Sequence, residues 1–213
     1  MRIAFDGPLR RVAGPRPCVG RAGALFEIRG GELAPLPLPF ADAIPLAIDA
    51  AGRLIAGRES GDRTVRRYRG ESLDATYPLT VDEVASLGVC GNRVVAVRRD
   101  GTALGIDEAT VPRVDYSHRL AMRFHFADGG DDRIALAGAE TVVCDFEGRI
   151  MERHPAAAKV RLRPGGVWRI DGVLRLGERV FGPRDFGLAE IGDIVVADAE
   201  WALGEALVRM EVP

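Results

Sequence analysis

The sequence predicts an all-β protein built from repeated units of about 40 residues, and three observations lead to this prediction. Short runs rich in β-branched or aromatic residues recur along the chain, each bounded by Gly, Asp or Pro. Turn residues typical of hairpins separate many of these runs, and a turn-plus-strand pattern returns at nearly constant intervals. The predicted strands are residues 3–5, 24–28, 54–56, 64–68, 93–97, 103–106, 123–126, 133–136, 141–146, 160–162, 167–170, 173–176 and 194–197.

Side-chain alternation supports the strand assignment around residue 124. Met122, Phe124 and Phe126 alternate with Arg123 and His125. Successive side chains of a strand point to opposite faces of the sheet. We therefore expect the three apolar side chains on one face, and the arginine and histidine on the other.

Glycine pairs and acid–glycine pairs mark the hairpin turns. Gly tolerates the positive φ that a tight turn requires, so such a pair between two apolar runs indicates a hairpin. The chain contains four of these pairs, at Gly30-Gly31, Asp100-Gly101, Glu147-Gly148 and Asp171-Gly172.

Helical signals are few. Residues 80–83 form a capping-box pattern, and Gly88 stands where it would end a short helix. An irregular approach to a strand is the alternative for this segment. Residues 199–207 have the propensity for two helical turns, and a hairpin is the alternative there.

The repeat is the strongest organisational signal. A turn residue followed by an apolar strand recurs at Gly52, Gly91, Asp132 and Gly172, at intervals of 39, 41 and 40 residues. A further copy starts at Gly23, only 29 residues upstream of Gly52. Four short strands in a unit of about 40 residues suit one blade of a β-propeller, which buries its faces only against neighbouring blades. Dividing the chain by a blade of about 42 residues predicts five blades.

The chain resembles the β-propeller superfold over nearly its whole length, so residues 1–213 are expected to form a single propeller-like domain. A β-sandwich or barrel is the alternative. In size and divergence it also resembles small bacterial propellers that accompany AAA+ ATPase and von Willebrand A-domain proteins. The resemblance implies that the strand around Ile3 closes the ring beside the C-terminal strand. The repeats lack the WD40 Gly-His…Trp-Asp pairs, the kelch double glycine and a repeating Asp-box.

Composition and charge limit the classes of partner that the protein is expected to bind. The formal net charge is −2, which favours neither nucleic acid nor an anionic membrane. Asn92 is the only asparagine and glutamine is absent, which removes the usual readers of adenine. No apolar run reaches the length of a membrane helix, and the N-terminal run is too short for a signal peptide. We expect a soluble cytoplasmic protein without a cofactor, in which Cys18, Cys90 and Cys144 are core residues.

No catalytic or metal constellation has the required spacing. Residues 115–118, Asp-Tyr-Ser-His, contain hydrolase residue types, but triad members converge from separate elements. His118, His125 and His154 lack metal-ligand spacing. The carboxylates of residues 128–132 fit a solvated turn better than a calcium loop. We therefore predict no catalytic residue and no metal ligand.

Two segments are candidates for binding a partner. Residues 63–69 are the densest basic stretch and include Arg66, Arg67 and Tyr68. As a strand they would place Arg66 and Tyr68 on one face and Arg67 on the other, and an arginine–aromatic face can hold anions or stack bases. Tyr116 and His118, in a polar loop between two units, are the second candidate.

The function predicted first is a non-enzymatic protein-interaction platform. The first alternative is a propeller hydrolase or lactonase-like enzyme with a site in the central channel. It requires His118 or His125 to lie within hydrogen-bond distance of Asp115 or Asp128. The second alternative is a small sugar-binding lectin, which requires matching aromatic and polar residues in each blade.

Overall fold

The computed structural model describes residues 1–108, 111–130, 132–164, 166–196 and 199–211, and it consists of six four-stranded antiparallel sheets. The sheets are numbered here as blades 1 to 6 in chain order. In blades 1 to 5 the four strands follow one another along the chain. In blade 6 the fourth strand is β1, from the other end of the sequence.

The strands have the following bounds. Blade 1 contains β2 (Arg10–Val12), β3 (Cys18–Arg21), β4 (Ala24–Arg29) and β5 (Glu32–Leu36). Blade 2 contains β6 (Ala43–Ile48), β7 (Leu54–Arg58), β8 (Thr64–Arg69) and β9 (Ser72–Thr80). Blade 3 contains β10 (Val84–Cys90), β11 (Arg93–Arg98), β12 (Ala103–Ile106) and β13 (Pro112–Asp115), and the helix α1 (Tyr116–Leu120) follows it.

The second half continues in the same way. Blade 4 contains β14 (Phe124–Gly129), β15 (Ile134–Gly138), β16 (Glu140–Cys144) and β17 (Ile150–Pro155). Blade 5 contains β18 (Lys159–Arg163), β19 (Gly166–Ile170), β20 (Leu174–Leu176) and β21 (Arg179–Phe181), followed by a 3-10 turn at Pro183–Phe186. Blade 6 contains β22 (Asp193–Val196), β23 (Glu200–Leu203), β24 (Ala206–Met210) and β1 (Arg2–Ala4).

The first strands of the six blades form the inner wall of a ring. Each of them contacts the first strand of the next blade, and the first strands of blades 6 and 1 complete the circle. The propeller prediction is therefore confirmed, as is the closure by the N-terminal strand, which pairs antiparallel with β24. The prediction of five blades is wrong, because there are six, and the sandwich or barrel alternative is excluded.

The count of five assumed a uniform blade of about 42 residues, and one of the repeat markers that supported this length belongs to a different turn. Gly52, Gly91 and Asp132 lie between the first and second strands of their blades. Gly172 lies between the second and third strands of blade 5, as Gly23 does in blade 1. Blade 5 is also short, since β20 and β21 have three residues each. The even interval of 40 residues therefore combined two different turns and concealed the sixth blade.

Most local predictions are confirmed. All four predicted hairpin turns join successive strands, and Gly101 and Gly172 adopt φ of 87° and 68°. The segment 199–207 forms the β23–β24 hairpin. A helix at residues 80–83 is wrong, because Thr80 ends β9 and a turn leads into β10. The Glu83 carboxylate still accepts the Thr80 backbone N–H at 2.9 Å, so the capping contact forms in a turn. Residue 197 of the last predicted strand lies outside the described residues.

A β-bulge overturns the expected face of one phenylalanine. The pairing of β14 with β15 shifts register between Phe124 and Phe126. Phe124 consequently packs with residues between blades 3 and 4, whereas Phe126 packs with residues between blades 4 and 5. The expectation that both lie on one face is wrong, because the bulge adds one residue and reverses the side-chain direction.

The hydrophobic core lies between the blades. Separate clusters of buried side chains fill the interfaces of adjacent blades, and Cys90 and Cys144 belong to the cluster between blades 3 and 4. Cys18 lies between blades 1 and 2. The prediction that the three cysteines are core residues is confirmed. Within the described residues, no helix has the length and apolar character needed to span a membrane.

The two faces of the ring follow from strand direction. Because neighbouring strands are antiparallel, the first-to-second and third-to-fourth turns of each blade lie at one end, here called the lower face. The second-to-third turns and the connections between blades lie at the other end, here called the upper face.

The inner strands approach each other to backbone contact. A Cβ on Gly129 would overlap the Val89 carbonyl, whereas the nearest atom to a Cβ on Gly130 is 3.7 Å away. We expect Gly129→Ala to lower the free energy of unfolding by about 1–3 kcal/mol through overpacking. Gly130→Ala is the matched control, with a change within about 0.5 kcal/mol. Denaturant titration measures both, and equal stabilities would contradict the close approach of blades 3 and 4.

Candidate functional site

Four charged side chains from the inner strands meet at the axis of the ring. Arg11 Nη1 donates to Asp128 Oδ1 at 2.8 Å, which joins blade 1 to blade 4. Arg161 donates from Nε and Nη2 to the two oxygens of Asp193 at 2.8 and 2.6 Å, which joins blade 5 to blade 6. Asp128 Oδ2 also accepts the Leu162 backbone N–H at 2.9 Å.

Burial and charge act against each other in this axial network of Arg11, Asp128, Arg161 and Asp193. Burial lowers the pKa of Arg11 despite the neighbouring Asp128. Burial alone would raise the pKa of Asp193, but Arg161, together with Arg11 and Lys159, outweighs it and the pKa is lowered. Arg161 also lies over the Phe126 ring, 4.4 Å from its centroid. Two guanidinium groups and two carboxylates therefore balance in charge and occupy the axis.

The residues required by the enzyme alternative lie in three separate places. Asp128 is held in the axial network. Asp115 caps α1 and accepts the backbone N–H of His118 at 2.9 Å, so its contact is not with the imidazole. His125 Nε2 lies 3.0 Å from the Ala157 carbonyl oxygen. The acids and histidines proposed for a channel site are therefore not brought together.

The buried thiols are also poorly suited to nucleophilic chemistry. Burial raises the pKa of the Cys18 and Cys144 thiols to about 12. Near neutral pH both therefore remain protonated, and the thiolate is the reactive form.

Residues 64–69 of the basic segment form β8, and two of the three predicted binding residues are buried. Arg67 donates from Nε to Asp74 at 2.6 Å. Tyr68 packs edge-on against Phe40, with ring centroids 5.4 Å apart. Arg66 is the more exposed of the three and pairs with Asp62. The aromatic part of this face is thus covered by blade 1, whereas Arg66 is partly exposed. Binding by these residues remains a prediction.

The second predicted segment is split between core and surface. Tyr116 is fully buried, and its hydroxyl donates to the Phe146 carbonyl at 2.6 Å. His118 is exposed on α1, in the connection between blades 3 and 4. Tyr116 therefore lies in the protein interior and His118 faces solvent, so the two residues do not form one binding surface. A binding role for either residue remains a prediction.

An open groove lies between blades 4 and 5 and has a volume of about 650 Å³. Its walls come from β17 of blade 4 and from the β19–β21 part of blade 5. It contains the turn at Gly177-Glu178, so it opens toward the lower face. The lining residues are Glu152, His154, Gly166, Val167, Arg169, Leu176, Gly177, Glu178 and Arg179.

The groove combines an apolar floor with charged walls. Val167 supplies aliphatic surface between blades 4 and 5, and Leu176, which also packs against the cluster between blades 5 and 6, borders the groove near its lower turn. On the blade 4 wall, His154 Nε2 lies 2.9 Å from a Glu152 oxygen, and Arg133 Nη1 lies 3.7 Å from the other. On the blade 5 wall, the one hydrogen bond that Arg169 donates within the described residues goes to the Gly177 carbonyl, at 3.5 Å. An extended peptide with both apolar and charged side chains suits such a surface.

Exposed apolar side chains recur at one position of the blades. Leu73, Val111, Met151 and Val180 are 57%, 52%, 55% and 52% exposed. Each lies near the start of the outermost strand of its blade, toward the lower face. Met151 adjoins Glu152 and Val180 adjoins Arg179, so two of them flank the groove.

A smaller cavity of about 420 Å³ lies under the lower turns of blade 3, lined by residues that include Asn92, Arg93 and Glu108. In the part of the chain that the structure describes, no three His, Cys, Asp or Glu side chains are grouped to hold a metal ion. Asp131, one of the carboxylates of the predicted 128–132 turn, lies outside that part.

Sequence reasoning missed the groove residues, although one signal was present. Arg169 and Arg175 flank the hairpin turn at Asp171-Gly172, and the structure pairs them directly. A three-residue loop at residues 171–173 gives this register. The axial residues give no comparable signal in the sequence. A single charged residue in a short strand is normally predicted to face solvent.

Comparisons with known proteins give likenesses in structure alone. No protein-family model and no curated protein match the chain. The WD40 β-propeller domain of Doa1 superimposes with a TM-score of 0.68 at 12% identity, over 98% of this chain and 80% of that one. YCF48 bound to D1 peptide gives 0.63 at 14% identity, over 100% of both chains. Virginiamycin B lyase from Staphylococcus aureus gives 0.58 at 12% identity, over 88% of this chain and 73% of that one. Six blades in a closed ring, together with these likenesses, identify the chain as a highly divergent β-propeller.

Proposed function

We propose that residues 1–213 act as a non-enzymatic platform that binds a segment of another protein in the groove between blades 4 and 5. The observation that carries the proposal is the contrast between the axis and this groove. Buried ion pairs fill the axis, whereas the groove is open, has an aliphatic floor and is flanked by Met151 and Val180. An exposed mixed surface of this kind is typical of an interaction site.

Two of the similar structures support a binding role by analogy of fold. One is described as YCF48 bound to D1 peptide, and another as BBS1N in complex with ARL6DN. Propellers also serve enzymes, so the fold alone does not decide the function. The groove favours a protein partner, whereas the residues required for the hydrolase alternative are not assembled. An AAA+ or von Willebrand A-domain partner and a cytoplasmic location remain predictions.

The proposal predicts that exposed groove residues are required for partner retention. We expect the double variant Met151→Glu, Val180→Glu to fold normally, because both side chains face solvent. It should lose most of the partner that the wild-type protein retains, since the new carboxylates would require desolvation on binding. The measurement is quantitative affinity purification from the native host, with wild-type and variant proteins compared side by side.

Leu73→Glu provides the matched control. Leu73 occupies the corresponding position of blade 2 and has similar exposure, but it lies outside the groove. Retention that is lost with the groove variant and kept with the control supports the proposal. Equal retention by all three proteins, or no protein retained by the wild type, would contradict it.

A further inference from the structure

We infer that the segment bound in the groove is an acidic peptide, whose carboxylates pair with Arg169 and Arg175 and whose aliphatic side chains pack on Val167 and Val180. This inference rests on the proposed function and specifies the partner of the same groove. It follows from the direction of the side chains, from arginines without carboxylate partners and from the engagement of Glu152 on the facing wall.

The direction of Arg169 is fixed by its neighbours in β19. Trp168 packs in the cluster between blades 5 and 6. Val167 packs in the cluster between blades 4 and 5. Because side chains alternate along a strand, Arg169 points the same way as Val167, toward blade 4 and into the groove.

Arg175 is not among the residues that line the groove, but it lies beside Arg169 on the same face of blade 5. The two residues are direct partners in the antiparallel pairing of β19 with β20, and directly opposed residues share a face of the sheet. On the next strand, Val180 is the direct partner of Arg175. The groove-facing side of blade 5 therefore presents two adjacent guanidinium groups beside an exposed aliphatic side chain.

These two arginines lack carboxylate partners. Across the described ranges of the chain, neither makes an ion pair, although most arginines of this protein do. Like charges placed directly opposite each other on a sheet are unfavourable. A bound anion would relieve this repulsion and would form charge-assisted hydrogen bonds to both groups.

The acids on the facing wall are already engaged. Glu152 contacts His154 at 2.9 Å and Arg133 at 3.7 Å. Arg163, on the neighbouring strand of blade 5, is paired with Glu200 at 3.1 Å. Glu178 also lies in the groove lining, but Arg169 and Arg175 outnumber it, so the charge left for a partner is positive. The apolar floor beside it favours a peptide over a bare inorganic anion.

The test uses a fluorescein-labelled twelve-residue peptide of alternating Glu-Glu and Leu-Gly pairs, with binding followed by anisotropy. We expect the wild-type protein to bind it, and the double variant Arg169→Glu, Arg175→Glu to bind about 10- to 100-fold more weakly. The same peptide with Lys in place of Glu should bind the wild type weakly and the variant better. The control variant is Arg69→Glu, Arg184→Glu, which reverses two exposed arginines outside the groove.

The outcomes separate this inference from the proposed function. Equal binding of the Glu and Lys peptides, no binding of the Glu peptide, or unchanged affinity in the groove variant would overturn the acidic partner. So would tighter binding of a twelve-nucleotide single-stranded DNA with the same dependence on Arg169 and Arg175. If the acidic peptide does not bind while the Met151 and Val180 variant still loses its native partner, the proposed platform function is supported. In that case only the inferred acidic character of the partner is wrong.

Discussion

Asp128→Ala is expected to lower the free energy of unfolding by about 3–5 kcal/mol. Asp128 is buried, and it binds Arg11, Arg161 and the Leu162 backbone N–H. Its removal leaves Arg11 without its ion-pair partner, so that Asp193 remains as the one carboxylate of the network beside two guanidinium groups. An unpaired buried charge is costly because the protein interior cannot replace its hydration. Since a domain of this kind is stable by about 5–15 kcal/mol, the variant should be close to unfolding.

Denaturant titration and thermal unfolding measure this effect. Asp132→Ala is the control, because Asp132 is 86% exposed and lies four residues away in the same blade. Its stability should stay within about 0.5 kcal/mol of the wild type. A further variant, Asp128→Asn, keeps the shape and removes the charge, so it separates the electrostatic loss from the loss of packing. If Asp128→Ala is as stable as Asp132→Ala, the axial network does not hold the ring together.

Deletion of residues 2–5 is expected to destabilise the ring by about 3–6 kcal/mol. These residues supply β1, the outermost strand of blade 6, which pairs with β24 at Arg2, Ile3 and Ala4. Ile3 and Phe5 pack against the cluster between blades 6 and 1, and each aliphatic or aromatic side chain removed from such a site costs about 1.5–3 kcal/mol. The deletion also leaves β24 as an exposed edge, which promotes association between chains.

A synthetic peptide of residues 1–6 should restore the truncated protein in trans. By mass action, a peptide at 100 times its dissociation constant contributes about 2.7 kcal/mol. The thermal midpoint of the truncated protein should therefore rise with peptide concentration. A peptide carrying Ile3→Asp should have no effect, and Arg2→Ala in the full chain should change stability by no more than about 0.5 kcal/mol. An unchanged midpoint after the deletion would refute the closing role of β1.

The sequence was sufficient to predict the propeller architecture, but not the number of blades. Hairpin turns such as Asp100-Gly101 depend on local backbone preferences, so they are readable in the chain. Blade count depends on which turn each glycine serves, and Gly172 resembles Gly52 and Gly91 although it belongs to a later hairpin. A blade with three-residue outer strands also gives little periodicity to detect.

The candidate site was less accessible to prediction, for two physical reasons. A bulge at Phe124–Phe126 reverses the side-chain direction, and no residue type in this segment predicts the bulge. Burial is decided by the neighbouring blade, so the charged strand with Arg67 and Tyr68 looked exposed although blade packing covers both residues. Conversely, Arg169 and Arg175 are separated in the sequence, and only the register of the β19–β20 hairpin places them side by side.

The joint between β1 and β24 has a consequence for mechanical strength. The two strands run antiparallel, and the Arg209 backbone N–H donates to the Met1 carbonyl at 3.0 Å, so both chain ends leave the joint at the same place. A pulling force applied to the two ends would load these hydrogen bonds one after another, as in a zipper, and not all together in shear. The ring should therefore open at low force at this seam, while the five blades that are continuous in sequence still hold their strands.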